Sequence, residues 1–109
     1  MARSDALQGA LPMLVLKTLA RRGPMHGYAI TTHIETLSSD VLRVEEGSLY
    51  PALQKLLLKG WVKASPTISE TGRSVRAYRL TPSGRRQLEI ERTNFRRVTQ
   101  AISDILETA

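Results

Sequence analysis

Residues 45–61, EEGSLYPALQKLLLKGW, decide how the rest of the chain is read. Leu49, Leu53, Leu56 and Leu57 recur at helical spacing and line one face, and Gly60 ends the run. A proline inside a helix removes a hydrogen bond and clashes with the preceding turn, but in or just after the first turn its missing N–H is tolerated. Pro51 therefore puts the start of this helix at about Glu46 to Ser48. Projection at about 100° per residue sets Pro51, Gln54 and Lys55 opposite the leucines, with Ser48, Tyr50 and Lys59 on the flanks. That face offers hydroxyl, amide and ammonium groups, which suit phosphates or base edges. Leu58 also points outward and has no role in this reading.

Upstream, Pro12 suits a first helical position, with Leu14, Val15 and Leu19 following at helical spacing until Gly23-Pro24 stops the run. A second helix is predicted from Gly27 to about Ser38, with Ile30, Ile34 and Leu37 as its narrow apolar stripe. Downstream of Trp61 the period changes towards two. Val62 and Ala64 alternate with Lys63 and Ser65, the turn-rich SETG follows, and Val75 to Leu80 alternates again with Tyr78 and Leu80 on one face. This is a two-stranded ribbon. Thr81 and Pro82 then supply an N-cap and a first helical residue for a last helix that runs nearly to the end. In that helix Leu88, Phe95, Val98, Ile102 and Ile105 form a heptad-like seam, interrupted by the polar Glu91.

The 109 residues suit one domain. No apolar run approaches the roughly 18 residues of a membrane span. With no cysteine there are no disulfides, no thiolate nucleophile and no Cys-type metal site. His26 and His33 lack a third ligand at sensible spacing, so neither a metal nor another cofactor is expected. The start, MARSDALQGAL, has no apolar core of signal-peptide length and carries Asp5, so a cytoplasmic location is expected, nucleoid-associated if the chain binds DNA. Net charge is +6, with +2 on residues 1–60 and +4 on residues 61–109. Eight arginines lie between Arg73 and Arg97. Such a balance favours polyanionic partners, although a solvated surface explains charge excess equally well.

The order helix, helix, turn, helix, ribbon, helix is that of a winged helix-turn-helix with an added C-terminal helix: mainly α with a small β-ribbon. The expected organisation is a DNA-binding unit over residues 1–80 and a dimerisation helix over 81–109, within one compact domain. In such a fold the second helix of the motif lies in the major groove and its N-terminal residues approach the base edges. Ser48 serves equally as a helix cap, and Tyr50 as an aromatic at the core's edge. Trp61, next to the Gly60 stop, is expected in the core with no binding role. Arg73 and Arg76 flank the ribbon tip and, with SETG, make a polar wing able to touch phosphates or the minor groove.

Together, LQGALPMLVLKTL, GPMHGYAI, VEEGSLYPALQKL with KGW, and YRLTPSGRRQL resemble the PadR family of transcriptional regulators, in its short form with a single C-terminal helix. The resemblance covers Leu7 to Leu106 and implies a bacterial homodimeric repressor that binds palindromic double-stranded DNA. It implies DNA contact by Ser48, Tyr50 and Pro51, with Gln54 and Lys55 further along, and places Tyr28 near the backbone-contacting start of the second helix. The first and last helices would pack across the dimer, through Leu11 and Leu14 and through Phe95, Val98, Ile102 and Ile105. Phe95 matches the position where short members stack a small, flat aromatic effector, although an apolar heptad site is already explained as ordinary dimer core. Arg73 and Arg76 match basic wing positions, whereas Pro66, Ser74 and Ala77 depart from the pattern. Pro66 cannot donate to a ladder and belongs at an edge or bulge.

Two other classes compete with the regulator. A winged helix used as a protein–protein interaction module needs an apolar patch in place of the Ser48, Gln54 and Lys55 face. An enzyme needs a convergent set of acid, base or metal ligands, and the sequence offers none.

Overall fold

The structure, a computed structural model, describes residues 5–109. The elements run α1 (Asp5–Arg22), β1 (Met25–His26), α2 (Gly27–Leu37), α3 (Glu46–Leu58), β2 (Val62–Ile68), β3 (Ser74–Leu80) and α4 (Pro82–Leu106). The strands form one antiparallel sheet in the order β1-β3-β2. This is a winged helix with a three-stranded sheet and one long C-terminal helix. The core gathers Leu11, Val15, Leu16 and Leu19 of α1, Ile30 and Ile34 of α2, and Leu49, Leu53 and Leu56 of α3. Val44, Val62, Tyr78 and Leu88 close it.

Two expectations about the first helices change. Pro12 does not begin α1 but lies inside it, seven residues after Asp5. Burial of Leu11, Val15, Leu16 and Leu19 along one stripe outweighs the hydrogen bond that the proline cannot donate. Leu37, read as the third apolar position of α2, is 63% exposed. It is the last residue of α2, beyond which the chain leaves the core through Ser39 and Asp40, both at positive φ. There the Ser39 N–H donates to the Thr36 carbonyl and the Asp40 N–H to that of Glu35. A carboxylate oxygen of Glu35 then accepts the Val44 N–H at 2.9 Å, and Ser38 Oγ accepts the Leu42 N–H at 3.0 Å. These bonds fix the turn that aims α3.

α3 ends in a Schellman motif. The Trp61 N–H donates to the Leu56 carbonyl and the Gly60 N–H to that of Leu57, with Gly60 at φ 73°. Trp61 is half-buried, packed against the core but not enclosed by it. The hairpin pairs Val62 with Leu80 through Ile68 with Ser74 without a bulge. β2 is the sheet's edge strand, where Pro66, opposite Arg76, is tolerated without an N–H. The two-residue β1 adds a third strand that alternation over so short a stretch does not signal.

The entry into α4 is built as expected and more tightly joined. Thr81 Oγ1 accepts the Gly84 N–H at 3.0 Å and donates to the Gly60 carbonyl at 2.8 Å, and Ser83 Oγ donates to the same carbonyl. Beyond Leu88 the helix leaves the core. Phe95, Val98, Ile102 and Ile105 are 49%, 46%, 52% and 73% exposed.

Candidate nucleic-acid interface

α3 starts at Glu46 with Glu45 as its N-cap residue, whose side chain makes no cap hydrogen bond. Ser48 is thus the third helical residue rather than the cap. Leu49, Leu53 and Leu56 are buried, which turns Tyr50, Pro51, Gln54 and Lys55 to the surface. Ser48 is half-buried and, with Pro51 and Lys55, borders a shallow recess against Leu11 and Pro12 of α1. Pro51 lies within the helix, so the Gly47 carbonyl has no N–H four residues on to accept from. Of the residues that helical projection assigns to this face and its flanks, Tyr50, Pro51, Gln54, Lys55 and Lys59 are exposed and Ser48 is half-buried. Leu58 is 79% exposed, and no described residue covers it.

Tyr50 is held from the side by the start of α2. A Cβ placed on Gly27 would stand 2.9 Å from its hydroxyl oxygen and 3.3 Å from two ring carbons. The absence of a side chain at Gly27 is what lets the phenol lie against the second helix. Beside it, His26 caps α2 by accepting the Ala29 N–H on Nδ1 at 3.4 Å, which gives this histidine a structural task. Tyr28 follows, 75% exposed. HGY is thus a cap, a gap and an exposed phenol.

The wing approaches α2 rather than standing apart from it. Its tip is closed by the Ser69 N–H donating to the Arg73 carbonyl and the Gly72 N–H to that of Ser69, with Gly72 at φ 82°. Between this tip and α2 lies an open cleft of about 660 Å³. Tyr28 and Arg73 both line it, together with Arg22, His26, His33 and Glu70. Arg76 does not; its guanidinium sits 5.6 Å from the centroid of the Tyr78 ring. The site residues thus divide into an α3 surface, an α2–wing cleft and a separate Arg76. His33 and Arg22 were not singled out from the sequence as binding residues, because only the packing of α1's end, α2 and the wing tip brings them together. Burial, followed by the Arg22 and Arg21 guanidinium groups, lowers the His33 pKa from its ordinary 6.5. Among the described residues no group of three His, Cys, Asp or Glu side chains is placed to hold a metal ion.

On the opposite side, Leu11 is 2% exposed inside the protomer's own core, which corrects its assignment to a subunit contact. Leu14 is half-buried. Phe95, Val98 and Ile102 instead line a groove of about 510 Å³ with Gly9, Ala10 and Met13 of α1.

Residues 15–90 match the transcriptional regulator PadR-like family. The chain belongs to that family. PadR-family proteins are DNA-binding regulators of transcription and not enzymes. The chain is 45% identical over 87 residues to an uncharacterised 37.1 kDa protein in a transposon of Streptomyces fradiae, covering 80% of this chain and 23% of that one. It is 31% identical over 70 residues to the negative transcriptional regulator PadR of Bacillus subtilis, covering 64% of this chain and 38% of that one. It thus spans well under half the length of both relatives. Among solved structures, a transcriptional regulator from Clostridium thermocellum superposes with a TM-score of 0.87 at 24% identity, covering 95% of this chain and 100% of that one, a likeness of fold. No described helix is long and apolar enough to cross a membrane.

Proposed function

We propose that this PadR-family chain is a homodimeric repressor that binds a palindromic operator and is released from it by a planar aromatic effector. The observation that carries the dimer is the run of four exposed apolar side chains, Phe95, Val98, Ile102 and Ile105, on one stripe of α4 beyond the reach of the protomer's core. A single chain leaves that stripe in water; a second copy packing helix to helix removes it. α3 then enters the major groove through Ser48, Tyr50, Pro51, Gln54 and Lys55, while Tyr28, Arg73 and Arg76 meet the backbone on either side.

Release follows from how α4 is mounted. Thr81 and Ser83 both donate to the Gly60 carbonyl at the end of α3, so a ligand that re-sets α4 at Phe95 also re-sets α3. Half-sites lie about one helical turn of DNA, roughly 34 Å, apart, and two motif helices held at another spacing fit poorly. Sequencing of the DNA fragments retained by the purified protein is expected to return one palindrome. Analytical ultracentrifugation is expected to give twice the 12.1 kDa chain mass. A monomer at micromolar concentration, or retained fragments without a common palindrome, refutes the proposal.

A further inference from the structure

The cleft between α2 and the wing tip has a chemistry that the α3 surface lacks. It brings together two guanidinium groups, Arg22 from the end of α1 and Arg73 from the wing, at an opening of about 660 Å³. That volume falls within the roughly 300–1,000 Å³ of small-molecule sites. Both arginines are exposed. Among the described residues the ion pairs join Arg43 to Glu35 and Arg92 to Glu89, so neither Arg22 nor Arg73 is tied to a carboxylate. The hydroxyls of Tyr28, Thr32 and Thr36 succeed one another along the α2 wall, one helical turn apart. Glu70 is the single carboxylate among the described lining residues, against two guanidinium groups and two imidazoles. The excess of positive charge is felt inside the cleft, where burial first, then Arg22 and Arg21, hold the His33 pKa below 6.5.

We infer that this cleft is a phosphate site: it holds a small molecule with two or more phosphate groups, gripped by Arg22, Arg73 and the α2 hydroxyls, and takes up a proton at His33 as the ligand enters. Guanidinium forks match phosphate oxygens in shape and charge, and hydroxyls donate to the oxygens left over. The two arginines come from different elements, which favours a ligand with separate anionic groups over a single ion. Of the charged and titratable groups around His33, Arg21 and Arg22 end α1, His26 caps α2 through Nδ1, Tyr28 lies on α2 itself, and Glu70 and Arg73 face it from the wing tip. Before a ligand arrives, the repulsion from Arg22 and Arg21 disfavours a charged His33. A phosphate that offsets those charges removes the repulsion and gives the imidazolium an acceptor, so binding is tighter at lower pH. The inference rests on DNA contact by Tyr28 and Arg73 for one consequence alone, that a ligand in the cleft competes with the operator.

The test uses the full chain without DNA and inorganic pyrophosphate as the probe, at constant ionic strength. Calorimetric titration is expected to show binding that weakens roughly tenfold or more in Arg22→Gln and in Arg73→Gln, and that tightens in Glu70→Gln. NMR of the two histidine rings, assigned with His33→Gln, is expected to show the His33 titration midpoint moving up in pyrophosphate relative to sodium chloride. Because the signal is read at His33, the probe's own titration does not confuse it. Pyrophosphate is then expected to displace labelled operator; if it binds as described and displaces none, the phosphate site stands and Tyr28 and Arg73 lose their part in DNA contact. Binding indifferent to both arginines, or a His33 midpoint equal in pyrophosphate and chloride, overturns the inference. So does an absence of pyrophosphate binding, and if operator affinity nevertheless falls in Arg22→Gln, the cleft belongs to the phosphates of the DNA itself. The midpoint is read on the wild-type chain and decides the matter even if a variant does not fold.

Discussion

Replacing Gly27 by alanine should damage DNA binding while leaving the fold almost untouched. The added methyl carbon would stand 2.9 Å from the Tyr50 hydroxyl oxygen, where ordinary contact begins at 3.4 Å, so one of the two must move by at least 0.5 Å. Gly27 opens α2 directly after the paired strand β1, which holds its backbone in place. Tyr50 is 47% exposed and is met at the far end of a rotatable side chain. The phenol therefore swings outward. Strain in the protein is small, and the gain of alanine over glycine in a helix, about 0.5–1 kcal/mol, offsets it, so melting should shift by no more than about 4 °C. At the DNA, losing the Tyr50 hydrogen bond costs about 0.5–1.5 kcal/mol per motif helix, or about 1–3 kcal/mol for a dimer, a roughly 5- to 150-fold weaker complex.

Fluorescence anisotropy on labelled operator at fixed salt, beside calorimetric melting, separates these effects. Tyr50→Phe removes the hydroxyl alone, and Gly27→Ala added to Tyr50→Phe should weaken binding by less than the two losses combined, because both act through the same group. A Gly27→Ala protein that binds operator like wild type would show that the position of the phenol is irrelevant to recognition. A melting temperature lowered by more than about 10 °C would show that the backbone and not Tyr50 gives way.

Other perturbations reach different parts of the molecule. Gly84→Ala drives a methyl carbon to within 1.9 Å of the Trp61 carbonyl oxygen, a backbone atom that cannot step aside, whereas Gly47→Ala meets nothing within 4 Å. Calorimetry should give a loss of about 3 kcal/mol or more for the first, and no loss or a gain of up to about 1 kcal/mol for the second. Lys55→Ala should weaken operator binding and lower the slope of log affinity against log salt by about 0.9 for each Lys55–phosphate contact, as read by titration at several salt concentrations; an unchanged slope removes Lys55 from the backbone. Because burial and then Arg22 and Arg21 hold the His33 pKa below 6.5, the unfolded chain takes up the proton first as pH falls through 6.5. Wild-type melting temperature should accordingly drop more steeply than that of His33→Gln on going from about pH 7.5 to about 5.5, and parallel curves would remove His33 as the cause.

What was legible beforehand depended on sequence distance. The α3 face followed from the leucine spacing and the position of Pro51, and the start of α4 followed from Thr81-Pro82, because caps and stripes are decided by residues a few positions apart. Pro12 misled for the same reason. Its local preference for a first turn is real, but burial of Leu11 upstream and Val15 downstream carried the helix through it. The motif match placed Leu11 between subunits, yet only the packing of α1 against the other core elements shows it enclosed within one chain. The cleft shared by Arg22, His33 and Arg73 joins residues about fifty positions apart, and no pattern along the chain announces it.

The join between α3 and α4 ties the direction of the long C-terminal helix to that of α3. α4 has 25 residues and at 1.5 Å each is about 37 Å long, so a 5° tilt displaces its far end by about 3 Å. At the near end no such freedom exists. Gly84 lies so close to the Trp61 carbonyl that a methyl group does not fit, and two hydroxyls grip the carbonyl of Gly60 in the Schellman turn that closes α3. A helix that tilts about that joint must carry the end of α3 with it or break those hydrogen bonds. A displacement of the far end of α4 is thereby expected to change the aim of Tyr50, Gln54 and Lys55.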